Sequence, residues 1–285
     1  MSRHGRVVVG MGLLLLAAGS AFGQAGGESS VGYIDSAIPQ TQLRIRGDAA
    51  YGDNRPERAE FLYPQDGLPK PESRVDYQEV SAYLEGAFLP NFSAFAEVPF
   101  RFLNPEINDN HAGLSDVNAG LKWAVLAADE QYLTLQFRTY APSGLKHRGL
   151  GNGHVTLEPA VLYNRALTDD LHLEAELRDW VPVGGTDFEG NVVRYGVGAS
   201  YDVYKDEGLR VAPVAEFVGW TVLSGKDDEE NIGIVKNAAG ETIVNAKLGV
   251  RTSSPFGEIY VGYGRALTGT VWYKDIIRLE YRLLF

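Results

Sequence analysis

Charged residues recur at every second position in several stretches of this chain. In "LHLEAELRDW" they are His172, Glu174, Glu176 and Arg178, and in "IIRLEYRLLF" they are Arg278, Glu280 and Arg282. An extended strand sends alternate side chains to opposite faces, so each set lies on one face with apolar residues on the other. Carboxylates and guanidiniums arranged in this way can neutralise one another, hold water, or line a path that selects solutes by charge. The same parity elsewhere collects Arg138, Glu158, Arg194, Glu216 and Lys247. Together with Glu176, Arg178, Arg278, Glu280 and Arg282, these are the candidate pore-lining residues. Glu280 lies between Arg278 and Arg282 on one face and is their expected partner.

Other chemistries are poorly supported. His111, His147, His154 and His172 show no i, i+4 or short-loop spacing, so no metal site is expected. No serine stands in a nucleophile–base arrangement with a histidine, so no catalytic residues and no enzyme are expected. "GLGNGH" resembles a phosphate loop, but "VTLEPAVLY" follows it as a strand, where phosphate binding needs a helix N-terminus. The run Asp227–Glu230 in "GKDDEEN" lacks the ligand spacing of a calcium loop and reads as a solvated loop. The absence of cysteine excludes disulfides, thiolate metal sites and a Cys-linked lipid anchor. No cofactor is expected.

The elements that position the charged face are strands throughout. "LRIRGDAAY", "VSAYLEGAF", "LTLQFRTY" and "IVNAKLGVR" all alternate with a period of two, and no comparable helical stripe occurs. Strands are predicted at 41–51, 77–88, 92–103, 114–126, 131–141, 154–166, 170–182, 191–203, 208–222, 241–252, 257–267 and 270–285. That makes about twelve, an even number as bacterial outer-membrane barrels have. Short links ("LPNF", "AADEQ", "LTDDL", "YKDEG", "SSPFG") alternate with long ones, as periplasmic turns alternate with extracellular loops. "LTGTV" is the exception, short where a long loop is due. On the apolar parity, Phe88, Phe92, Trp123, Tyr163, Tyr201 and Phe285 form one aromatic girdle, and Phe102, Phe137, Phe217 and Tyr273 the other. Pro99, Pro159 and Pro213 fall inside strands, where bulges or bends are expected.

The fold class is therefore all-β, a transmembrane antiparallel up-and-down β-barrel. A soluble β-sandwich or lipocalin-like barrel is the alternative, with the apolar face turned inward. Residues 1–23 have the basic start, apolar run and small-residue site of a signal peptide, and 24–40 read as a flexible lead-in. The barrel then occupies 41–285, in the cell outer membrane. Its apolar parity ends on Tyr281, Leu283 and Phe285, an expected signal for the barrel-assembly machinery. The other expected partners are outer-membrane lipid and a small-molecule solute. A net charge of −11 argues against nucleic acid.

Residues from about 113 to 285 resemble the outer-membrane family "MetA-pathway of phenol degradation". The resemblance is carried by "GLSDVNAGLKWAVL", "TYAPSG", "GLGNGHVTLEPAVLYNRAL", "LHLEAELRDWVPVGG" and "GYGRALTGTVWYKDIIRLEYRLLF". It implies an outer-membrane barrel passing small hydrophobic or aromatic compounds, and it supplies no catalytic residues. The functional expectation is a narrow channel or transporter for small solutes. A non-conducting structural or surface-interaction barrel stands second and an outer-membrane hydrolase third.

Overall fold

The computed structural model describes residues 29–54, 72–228 and 235–285. The signal-peptide reading and the second half of the acidic run, Glu229 and Glu230, lie outside these residues. The strands, in chain order, are β1 (Gln42–Asp53), β2 (Val75–Leu89), β3 (Phe92–Pro105), β4 (His111–Leu114), β5 (Asn118–Ala128), β6 (Gln131–Tyr140), β7 (Val155–Ala166) and β8 (Leu171–Val183). They continue as β9 (Val192–Tyr201), β10 (Tyr204–Lys205), β11 (Arg210–Val222), β12 (Lys226–Asp228), β13 (Val235–Asn237), β14 (Thr242–Ser254), β15 (Gly257–Ala266) and β16 (Asp275–Leu284).

Each long strand pairs antiparallel with its neighbours, and the sheet closes on itself. The first and last strands meet, with Gly47 opposite Leu279 and Arg44 opposite Arg282. The wall is a 12-strand closed barrel, with β4 extending β5 upward along β3 and β10 forming a short hairpin with β11. β12 and β13 pair apart from the wall, in the connection between β11 and β14. The predicted strands agree with this wall, apart from the last, which begins at Asp275.

The wall has its apolar side outward. Leu84 is 60% exposed, Leu248 65% and Leu279 58%, while Glu85, Lys247 and Glu280 beside them are buried. A soluble barrel would reverse this, and a chain folded so in water would expose a continuous apolar belt. Phe88, Trp123, Tyr201 and Phe285 are exposed towards one rim and Phe102, Phe137 and Phe217 towards the other. Tyr273 departs from its expected place. It precedes β16 in a connection that folds into the lumen, where it packs edge-on against Trp220.

Of the strand prolines Pro99, Pro159 and Pro213, the first two sit beside a break in the ladder. The Pro99 carbonyl accepts the Ser115 N–H at 3.0 Å, where 115–117 kink between β4 and β5. Pro159 shows only a local loss of pairing to β8, and Pro213 pairs in register with Val250 on β14. On its other side Pro213 lies beyond the last β9 pair, Val214 with Ser200, so its missing N–H removes no bond there.

Candidate functional site

The lumen is occupied by the chain's own N-terminal segment. Residues 29–41, expected as part of a flexible lead-in, run inside the barrel, with Ser29 to Ser36 largely buried. The segment enters beside the start of β1, where Glu85 accepts the Gln40 N–H at 3.3 Å. It rises to mid-wall at Asp35 and Tyr33, then descends. Ser30 Oγ meets Arg210 at 2.8 Å, and the Ser29 carbonyl meets Arg282 at 3.2 Å, both near the short-turn rim.

A buried backbone must find partners for its N–H and C=O groups, and this one finds them in wall side chains. Carboxylates take the amides. Glu216 accepts from Gly32 (3.1 Å), Tyr33 (2.9 Å) and Ile34 (3.0 Å). Glu174 accepts from Ser30 N–H (3.1 Å) and Ser29 Oγ (2.8 Å), and Glu176 from Asp35 N–H (3.1 Å). Guanidiniums take the carbonyls. Arg251 donates to Ser30 (2.9 Å) and Val31 (2.8 Å), Arg278 to Gly32 (2.6 Å) and Arg194 to Tyr33 (2.5 Å).

Side chains complete the fit. Asp35 is bound by Arg138 at 2.7 Å and Arg178 at 3.1 Å. Burial would raise the Asp35 carboxyl, but these guanidiniums hold it well below the usual carboxylate range. The ring of Tyr33 is capped by the Lys247 ammonium, 3.7 Å from its centroid, and by Arg278 at 4.1 Å. Lys247 also donates to Tyr273 Oη at 2.8 Å. A Cβ at Gly32 would stand 2.2 Å from the Tyr260 ring, so only glycine passes there.

All ten candidate pore-lining residues face the lumen, nine of them buried and Arg194 half-buried. Glu280 does not pair with Arg278 as expected. It takes Arg251 (2.9 Å), Arg282 (3.1 Å) and Arg46 (3.2 Å), whereas Arg278 grips Asp48. Asp48 sits opposite Arg278 in the β1–β16 register, a pairing visible only once the barrel closes. Sequence reasoning missed the luminal segment. Its signal was available: Val31, Tyr33, Ile34, Ala37 and Ile38 are too apolar for a solvated tail, and all five are buried.

Above the segment, Trp180 stacks on Trp272 with centroids 5.6 Å apart, and Trp220 meets Trp272 edge-on at 5.3 Å. Beside them lies a cavity of about 210 Å³, lined among others by Arg46, Asp48, Asn118, Arg138, Tyr140 and Trp180. The glycine-rich stretch before β7 forms part of the surrounding loop. Within it the Asn152 N–H is held by Asp116 at 2.7 Å and the Gly149 N–H by the Lys146 carbonyl at 2.9 Å, and Asp116 also accepts the Gly144 N–H at 2.9 Å. His154 lies 3.6 Å from Glu189, and His172 lies 4.0 Å from Asp202.

A closed antiparallel wall, apolar outside and charged within, defines an outer-membrane β-barrel. Solved structures of such barrels are similar to it. The COG4313 outer membrane channel from Pseudomonas putida F1 aligns over 90% of this chain and 100% of its own, with 14% identity and a TM-score of 0.58. The NanC porin aligns over 85% and 98%, with 12% identity and a TM-score of 0.51. The beta domain of the Bordetella autotransporter BrkA aligns over 86% and 100%, with 13% identity and a TM-score of 0.50. At these identities the likeness is one of fold. No family model matches the chain, and no curated protein does.

Proposed function

We propose that the protein is a narrow outer-membrane channel for small solutes whose periplasmic half is closed by residues 29–41. The observation that carries this reading is the division of labour in the lumen: carboxylates hold the segment's amides and guanidiniums its carbonyls. These contacts hold the segment's backbone while Val31, Tyr33 and Ile34 pack with Val214, Val218 and Tyr260, and a segment released from them would leave a lumen of about twelve strands. The cavity above it is the solute's resting place. Hydrophobic or aromatic solutes, which the family resemblance implies, would meet Tyr140 and Trp180 there but also four arginines and four carboxylates. The terminal Tyr281, Leu283 and Phe285 serve assembly, and the outer belt meets lipid.

A non-conducting barrel is the second reading, favoured by the density of buried ion pairs around Glu280, Arg251 and Arg178. Planar-bilayer recordings of the refolded chain separate the two. A channel gives discrete conductance steps, which become more frequent when Glu216→Ala frees the segment. A structural barrel gives none in either form.

A further inference from the structure

We infer that the cavity above the luminal segment binds a neutral, polyhydroxylated solute the size of a monosaccharide. The assignment rests on the channel reading for its physiological consequence but not for the binding itself.

Size comes first. Small-molecule sites commonly enclose about 300–1,000 Å³, whereas this cavity holds about 210 Å³. That space suits a single compact ring.

Charge decides the class. The lining carries Arg46, Arg101, Arg138 and Arg278 against Asp48, Glu79, Glu97 and Asp116, so its formal charges cancel. The four guanidiniums are already engaged. Arg278 Nε donates to Asp48 at 2.7 Å, Arg101 Nε to Glu79 at 2.7 Å, Arg46 Nε to Glu280 at 3.2 Å, and Arg138 to Asp35 at 2.7 Å. An anionic or a cationic solute would bring an uncompensated charge into a largely buried lining whose own charges already cancel. A neutral solute brings none.

Hydrogen bonding narrows the class further. A guanidinium has five N–H donors and a carboxylate about four acceptor sites, so the Arg101–Glu79 and Arg278–Asp48 pairs, which line the cavity with both members, leave spare donors beside spare acceptors. Hydroxyl groups, which donate and accept, match such a surface; an ether or a hydrocarbon does not. The rings of Tyr140 and Trp180 offer the apolar contact that the C–H face of a sugar ring uses.

The test is titration calorimetry on the full mature chain, refolded in a zwitterionic detergent with no sugar headgroup. Glucose, glucuronate, glucosamine and phenol are the probes. Glucose is expected to bind, with glucuronate and glucosamine each weaker by about tenfold or more and phenol weaker than glucose. Trp180→Leu, which removes a ring that lines the cavity, is expected to weaken glucose by about tenfold. The inference is overturned if no glucose heat is seen, if an ionic analogue or phenol binds as tightly, or if Trp180→Leu binds glucose unchanged. Conductance steps without glucose binding would retain the channel and discard this solute class. Glucose binding without conductance would retain the site and discard the channel.

Discussion

Glu216 accepts the backbone N–H of Tyr33 at 2.9 Å, joining mid-wall β11 to a segment 183 residues earlier in the chain. The same carboxylate holds Gly32 and Ile34 and accepts from Tyr260 Oη at 3.2 Å. Glu216→Ala leaves these donors unpaired, each at a cost of about 1–3 kcal/mol if they stay buried. The segment should then leave the lumen. A single Ser36→Cys reporter, the chain's only thiol, should react slowly with a hydrophilic maleimide in the parent and at least about tenfold faster with Glu216→Ala. Equal rates would mean that the segment is held by something else.

Asp35 sets the pH at which the segment lets go. Arg138, Arg178, Arg44 and Lys122 all favour its charged form and hold its folded pKa below the unfolded one. A depressed carboxyl pKa stabilises above the unfolded value, about 3.9, and loses that contribution as pH falls through the folded value. Closure should therefore be constant from about pH 8 to pH 4 and weaken only in stronger acid. Asp35→Asn should show the open behaviour already at neutral pH. Conductance recorded against pH checks both statements, and opening near pH 6 in the parent would contradict them.

The direction in which the wall faces can be tested with two adjacent residues on β14. Leu248→Arg places a charge on the outer belt and should destabilise by about 2–4 kcal/mol if the position is mid-bilayer. Lys247→Met, one residue away, keeps the length of a side chain that already lies among Tyr33, Trp220 and Tyr273. Its effect on the urea midpoint should be smaller. The reverse order would turn the barrel inside out.

Arg278 tests the buried pairs. Removing it leaves Asp48 and the Gly32 carbonyl without their donor, and Arg278→Met should cost about 3–5 kcal/mol. Asp48→Asn in the same chain should recover part of that loss, since it removes the stranded charge. Thermal melting of the single and double variants measures the coupling.

The wall was legible in the sequence because one face is apolar and the other charged, and a strand's period of two sorts them without knowledge of the partners. Parity correctly assigned each candidate luminal residue to the inner face. It could not assign partners, because neighbours such as Asp48 and Arg278 lie 230 residues apart and meet only on closure. The luminal segment escaped notice for a related reason. It has no periodicity of its own, because its hydrogen bonds go to side chains of distant strands instead of a neighbouring ladder. Tyr273 was misplaced because parity was carried past the true start of β16.

The central claim is that residues 29–41 close a channel, and the chain offers a direct test. A Cβ at Gly196 would stand 3.0 Å from Ile34 Cγ1, close enough for an engineered disulfide in a protein without cysteines. Single-channel recording of Ile34→Cys/Gly196→Cys, oxidised and then reduced in the same bilayer, is the measurement. The account predicts a silent barrel when oxidised and conductance steps once the bond is reduced. Equal conductance in both states, or none in either, would contradict it.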